Sequence, residues 1–183
     1  GYATRERCFV DGVYKLPPAH LLTCSLSDPT PHIRPYWSIP APTPNKRPAN
    51  DLAEELEHLL RRSVRRQLIA DVPVGVLLSG GVDSSLITAL ASAESASPIR
   101  TFHIAFPGYG HYDESDYART VARHFGTEHH ELAGQDIRPD DLDKVLDYLD
   151  EPLADHSVLP TFLVSKLTRQ YVKAALGGDG GDT

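Results

Sequence analysis

The sequence predicts an α/β protein built on a parallel sheet with helices on both faces, preceded by a short β segment. Three observations carry this. Four candidate strands, at 74–78, 99–106, 128–132 and 171–176, alternate with helical patterns, as parallel strands joined by crossover helices do. The first of these, Val74-Gly75-Val76-Leu77-Leu78, is continuous rather than alternating, as in a strand buried on both sides. It runs straight into a serine–glycine turn with a helical pattern behind it.

Length and composition bound the rest. The 183 residues suit one domain of ordinary size, or one domain plus a fragment, and 40% hydrophobic residues can build a core. A formal charge of −7 argues against a nucleic-acid or membrane surface. There is no run of 18 apolar residues and no signal-peptide pattern. Cys8 and Cys24 make neither a disulfide framework nor a zinc site and read as ordinary small hydrophobes. The plain expectation is a cytoplasmic protein. The chain begins at Gly1 without methionine and stops at Thr183, just past a glycine-rich turn. The expectation is therefore a part of a longer protein.

Residues 1–37 are short-run and turn-rich. Asp11-Gly12 between two apolar runs signals a hairpin-type turn, and 17–24 reads as a turn entering a strand. The segment is too small to fold alone. Residues 38–50 carry four prolines and read as an extended linker. From 51 to 70 the pattern is helical, with Asn50 or Asp51 as cap and Leu52, Leu56, Leu59, Leu60, Val64 and Leu68 as the buried stripe. Its glutamates precede its arginines, in the order the helix dipole favours. The arginines could bind phosphate, but a solvated face with Glu57–Arg61 pairing is the better reading.

After the strand at 74–78 comes a helix from Leu86, capped by Asp83 or Ser84. Asp113-Glu114-Ser115 opens another helix, with Tyr117, Ala118, Val121, Ala122 and Phe125 buried, and Gly126 stops it. In the strand 128–132, His129, His130 and Glu131 tempt a metal reading. Adjacent strand residues point to opposite faces, which argues against one shared ion. Helices are expected at 139–150 and 159–170. The acidic loop at 150–157 between them could line a pocket or simply cap and solvate. The end, Gly177-Gly178-Asp179-Gly180-Gly181-Asp182, sits at a strand C-terminus, where open α/β sheets bind ligands. It also fits one calcium-binding glycine-rich repeat, but such repeats occur in arrays and only one copy is present.

The chemistry concentrates at Ser79-Gly80-Gly81-Val82-Asp83-Ser84. Gly80 and Gly81 let backbone approach an anion, and the free N–H groups of the following helix point at it. A helix N-terminus supplies only about 0.3–1 kcal/mol, against about 4 kcal/mol for even a millimolar ligand. Serine hydroxyls at 79, 84 and 85 can add donors. Asp83 would repel a phosphate unless a divalent cation lies between them; Mg²⁺ favours one or two carboxylates plus phosphate oxygens. No Gly-Lys-Ser/Thr follows, so this is not a Walker A loop. A glycine turn of any α/β domain is the plainer alternative.

That segment resembles the SGGxDS pyrophosphate loop of the N-type ATP pyrophosphatases. Further likenesses narrow the family. Residues 12–20 with Tyr36-Trp37 are similar to the end of the glutaminase domain of glutamine-dependent asparagine synthetases, with Ala19 where the usual Leu-Pro-Pro-Gly-His has glycine. The stretches 112–115 and 126–131 look like the synthetase domain, and 177–182 like its second signature, with Thr183 in place of a glutamate. The resemblance implies a fold of the adenine nucleotide alpha hydrolase type, which is Rossmann-like. It implies residues 1–37 as a glutaminase remnant, 38–50 as linker and 51–183 as the ATP pyrophosphatase domain, truncated at its end.

It also implies roles. Ser79, Gly80, Gly81, Asp83 and Ser84, with Gly177, would hold ATP phosphates and then pyrophosphate. Asp83 and Asp182 would bind Mg²⁺. Leu77, Ile104 and Gly178 would touch the adenosine, and Asp179 would stand near the reaction centre as the catalytic acidic group. ATP and Mg²⁺ are the implied cofactors. Aspartate and glutamine-derived ammonia are the implied partners, with no nucleic acid or membrane, and a homodimer is open to the full-length parent. The implied chemistry activates the aspartate side-chain carboxylate as acyl-AMP. Relatives acting on another acceptor, such as β-lactam synthetases or peptide cyclases, carry the same loop, and a non-catalytic nucleotide-binding fragment is the other alternative. This segment alone is expected to be inactive or to bind nucleotide only.

Overall fold

The computed structural model describes residues 6–44, 46–108, 110, 113–134, 139–153, 155 and 157–179. The chain divides into two compact units, one of residues up to 46 with Asp147–Asp155, the other of the remainder.

In the first unit, strands β1 (His20–Thr23) and β2 (His32–Pro35) pair antiparallel, with Leu21 opposite Arg34 and Leu22 opposite Ile33. The expected Asp11-Gly12 hairpin is reduced to a turn closed by a single bridge, Arg7 to Tyr14. Ala19 adopts φ +57°, a left-handed backbone that favours glycine. Lys15 pairs with Glu151, tying the 147–155 segment to the turn. Cys8 is half-buried, but Cys24 is exposed, so only the first approaches the expected small core residue.

The second unit holds the parallel sheet. Its strands are β3 (Val74–Leu77), β4 (Arg100–Ala105), β5 (Glu128–Ala133) and β6 (Ala174–Leu176), in the spatial order β5-β4-β3-β6. All three pairings are parallel, with Val76 beside Thr101 and Leu176, and Thr101 beside His129. The helices are α1 (Ala49–Gln67), α2 (Val82–Glu94), α3 (Ser115–Phe125), α4 (Pro139–Tyr148) and α5 (Val158–Thr168).

Strand alternation assigns the layers. Val76 and Ile99 pack with Val64 of α1 and with Leu90 and Ala91 of α2. Leu78, on the same side as Val76, packs on Ala118 and Ala122 of α3. The alternate pair, Leu77 and Phe102, turns to the other face and meets Val164 and Leu167 of α5. Helices therefore cover both faces, as expected from the buried, continuous strand.

Several local expectations change. Helix α1 begins earlier, behind Pro48, and no side chain caps it, so Asn50 and Asp51 lie inside its first turn. Of its proposed stripe, Val64 is buried and Leu60 and Leu68 half-buried, whereas Leu56 and Leu59 are 56% and 51% exposed. The other arm of the stripe has no partner among the described residues to cover it. Arg61 bonds Glu57 at 2.9 Å as expected, and also Glu94 of α2 at 3.2 Å. On α3, Tyr117 and Phe125 are exposed rather than buried, because the helix lays only its narrow alanine side on the sheet. Gly126 ends it in left-handed conformation, as expected. The last strand is shorter than the 171–176 run, since Thr168 to Tyr171 make a turn instead.

Candidate functional site

β3 is the strand at which the connections diverge. From it the chain moves outward to β4 and β5 in one direction, then returns to place β6 on its other side. The loops leaving the C-terminal ends of β3 and β6 therefore flank a crevice, the usual ligand position in open α/β sheets. A cleft of about 480 Å³ lies there, within the range of small-molecule sites.

The loop after β3 is held by its own serines. Ser79 Oγ lies 3.0 Å from Ser84 Oγ and accepts the Gly81 N–H at 3.2 Å. Ser84 Oγ donates to the Gly81 carbonyl at 3.2 Å. These bonds curl the loop onto the start of α2, which begins at Val82 rather than Leu86, with Gly81 as N-cap. Asp83 and Ser84 thus lie in the first helical turn and neither caps it. Asp83 remains free to face the cleft.

Sequence-predicted residues from the middle and the end of the chain meet here. Leu77, Ser79, Gly81, Asp83, Ser84, Ile104, Gly177, Gly178 and Asp179 all line the cleft. Gly80 does not. It has φ +94°, and a Cβ on it would sit 2.7 Å from the Ala118 nitrogen and the Tyr117 Cβ, so its smallness seats α3 against the loop from behind. Gly178 makes the other close approach: a Cβ there would lie 2.7 Å from the Ser84 nitrogen. The two loops of the crevice touch backbone to backbone at that point. Asp182 lies outside the described residues.

The cleft also takes in residues that the motif reading missed. Phe102, Phe106, Pro160 and Val164 make an apolar wall, with Thr161 among them, and the α5 part could not be found without the strand order. Glu114 and His103 complete the polar part. His103 did carry a signal, a titratable residue inside an apolar strand. It is buried, with 6% exposure. Its Nδ1 lies 3.0 Å from the Leu78 carbonyl oxygen and its Nε2 3.1 Å from Ser115 Oγ. Ser115 Oγ in turn donates to Asp113. Burial lowers the His103 pKa, opposed chiefly by the Glu131 carboxylate. Asp113 is held below the ordinary carboxylate value, first by the Ser115 hydroxyl and then by the backbone N–H groups of Ser115 and Phe106.

Among the described lining residues, charge is one-sided. Asp83, Glu114 and Asp179 are acidic, and no lysine or arginine lines the cleft. No group of three His, Cys, Asp or Glu side chains among the described residues could cage a metal. The donor set nonetheless suits Mg²⁺, which binds through one or two carboxylates and completes its shell with water and substrate phosphates. His129 and His130 turn to opposite faces as expected: the first meets Thr101 and Glu131, the second stacks on Phe102 and lies tilted against Tyr171.

A family model described as asparagine synthase matches residues 55–183. The chain belongs to the asparagine synthase family. A relative from Methanocaldococcus jannaschii that bears an asparagine synthetase [glutamine-hydrolyzing] name is 38% identical over 80% of this chain and 28% of its own. Asparagine synthetase [glutamine-hydrolyzing] 1 of Bacillus subtilis is 34% identical over 72% of this chain and 21% of its own. Amidase chry2 of Gibberella zeae is 29% identical over 95% of this chain and 28% of its own. The chain spans about a quarter of the length of these relatives. Among solved structures, an NH3-dependent NAD synthetase from Campylobacter jejuni aligns with a TM-score of 0.46 at 14% identity, over 68% of this chain and 54% of that one. No helix among the described residues is long and apolar enough to cross a membrane.

Proposed function

We propose that this chain is the ATP-handling part of an asparagine synthetase-type ligase. The observation that carries the reading is the serine–glycine loop at the N-terminus of α2, facing the glycine-rich loop after β6 across one cleft. Residues 1–37 would be the tail of an ammonia-supplying glutaminase domain, 38–50 a linker, and 51–183 the synthetase domain.

In this reading the adenosine lies on Leu77, Ile104 and Gly178, against the apolar wall. The phosphates lie on the N–H groups of the loop and of the first turn of α2, with the hydroxyls of Ser79 and Ser84 and the Gly177 segment around them. Asp83 and Asp182 would hold Mg²⁺, whose chemistry there is to offset charge on the leaving pyrophosphate. The aspartate side-chain carboxylate attacks the α-phosphorus and pyrophosphate leaves. Ammonia then attacks the acyl-AMP carbon, AMP departs, and the acidic side chain of Asp179 accepts the amine proton.

Titration calorimetry of ATP with Mg²⁺ tests the site. The chain should bind, and Asp83→Ala should weaken binding at least about tenfold, or about 1.4 kcal/mol. Equal affinity in both would remove the loop from the phosphate site. Exchange of labelled pyrophosphate into ATP with aspartate present then reads the chemistry. The likeness to amidase chry2 favours a second reading, the same half-reaction on another carboxylate acceptor. Failure of aspartate to support exchange, while another acceptor does, would select it. Binding with no AMP formed by any acceptor would leave a nucleotide-binding module.

A further inference from the structure

The hydrogen-bonded line behind the loop cannot make all of its contacts at once with a neutral imidazole. Nδ1 of His103 faces the Leu78 carbonyl, which can only accept. Nε2 faces Ser115 Oγ, whose own hydrogen is committed to Asp113. While Ser115 keeps its hydrogen on Asp113, both ring nitrogens confront acceptors; a neutral ring is satisfied only when that hydroxyl turns to Nε2, which unmakes its bond to Asp113. Asp113 is not the proton's home, because two backbone N–H groups and the Ser115 hydroxyl already favour its ionised form. Burial opposes a charged ring, so the line is poised between a neutral His103 with one contact unmade and an imidazolium with all of them made.

What enters the cleft decides between these states. The lining carboxylates of Asp83, Glu114 and Asp179 come with no lysine or arginine among the described lining residues, and His103 is the remaining group there able to carry a positive charge. Other charged groups reach it from the neighbouring strand: Glu131, and His129, whose ring centroid lies 6.5 Å away. Asp113 reaches it through Ser115. A polyanion seated on the loop favours the cation in this partly dry place.

We propose that His103 is a positioning residue that takes up a proton when a polyphosphate enters the cleft. The imidazolium so formed, strapped between Leu78 and Ser115, holds the mouth of the loop and faces the phosphates with a buried positive charge. The inference rests on the nucleotide reading of the cleft. No covalent step is involved; the proton comes from solvent.

Calorimetric titration of ATP with Mg²⁺ in two buffers of different ionisation heat at pH 7.5 measures the protons taken up on binding. Wild type should take up a substantial fraction of a proton, approaching about one. His103→Gln, which keeps a polar side chain in the strand, should still bind but take up clearly fewer. Ser115→Ala should also reduce uptake, because it frees Nε2 from its acceptor. Affinity of the wild type should fall as pH rises between the free-state and the bound-state pKa, by up to about tenfold per unit, and the slope should flatten in His103→Gln. Should either variant fail to fold, the His103 ring Cε1–H resonance of the wild type, followed with pH, reads the same event: its midpoint should move up on saturation. Binding with identical apparent heats in both buffers, an unmoved midpoint, or equal uptake by wild type and His103→Gln would overturn the proposal and leave the nucleotide site standing. No binding by the wild type would overturn both.

Discussion

At the scale of single residues, two glycines do different work within one motif. Gly81 faces the cleft as the N-cap of α2 at φ −65°. Gly80 faces away, at φ +94°, with α3 pressed against it. The motif treats them as a pair, and only packing separates them. Gly80→Ala is expected to cost about 1–3 kcal/mol for the left-handed backbone alone, with the contact to Ala118 adding to it. Urea denaturation should show a lower midpoint for Gly80→Ala than for Gly81→Ala, whose Cβ meets only Ser79 Oγ at 3.3 Å. Equal midpoints would mean that α3 yields freely. His103 makes the converse point. Its identity is visible in the sequence, but its two acceptors belong to a strand end and a helix start that only the fold brings to it.

At the scale of elements, hydrophobic spacing locates helices well and their covered faces less well. The α1 stripe contains Leu56 and Val64 on equal terms, yet Val64 is 3% exposed and Leu56 56%. Val64→Ala should cost about 2 kcal/mol, for lost burial and a residual cavity. Leu56→Ala should stay within about 0.5 kcal/mol, as exposed substitutions do. Thermal or chemical unfolding of the two variants distinguishes them, and a large loss for Leu56→Ala would show that its face is covered in solution. Helix starts follow the same rule. Asp83, Asn50 and Asp51 have the chemistry of caps, but backbone packing sets each boundary elsewhere, and Asp83 is thereby left pointing at the cleft.

At the scale of the whole molecule, charge and burial set a pH dependence. Burial lowers the pKa of His103 and of His129 below the ordinary 6.5. Such groups bind protons more readily in the unfolded chain, so stability is full above about pH 6.5 and declines as pH falls toward their lowered folded values. A second loss follows at lower pH. Asp113 and Glu128 are held down by bonds to Ser115 and Arg100 respectively. Glu131 is pushed up by burial, but Arg119 and His129 outweigh it and leave it lowered. These carboxylates contribute stability above their ordinary values, which disappears as they protonate. Denaturation midpoints without ligand should therefore drop first as pH falls below about 6.5, then again below about 4.5. His103→Gln should shrink the first drop only. A flat profile through the first window would contradict the buried, neutral histidines.

The sequence by itself determined the local units: a buried strand, a serine–glycine turn and a helix start, with a second glycine–aspartate turn a hundred positions later. Those are set by chain chemistry over a few residues, namely β-branched runs, backbone freedom and free N–H groups. The family likeness was legible for the same reason, because its motifs are short and occur in order. Only the tertiary structure decided that β6 returns to the far side of β3. That order places Leu77 to Ser84 beside Gly177 to Asp179, sets α5 as the apolar wall and closes the line from Leu78 through His103 to Asp113. Periodicity reports that a face is buried. It cannot report what buries it, because strand order and layer pairing depend on contacts between residues far apart in the chain.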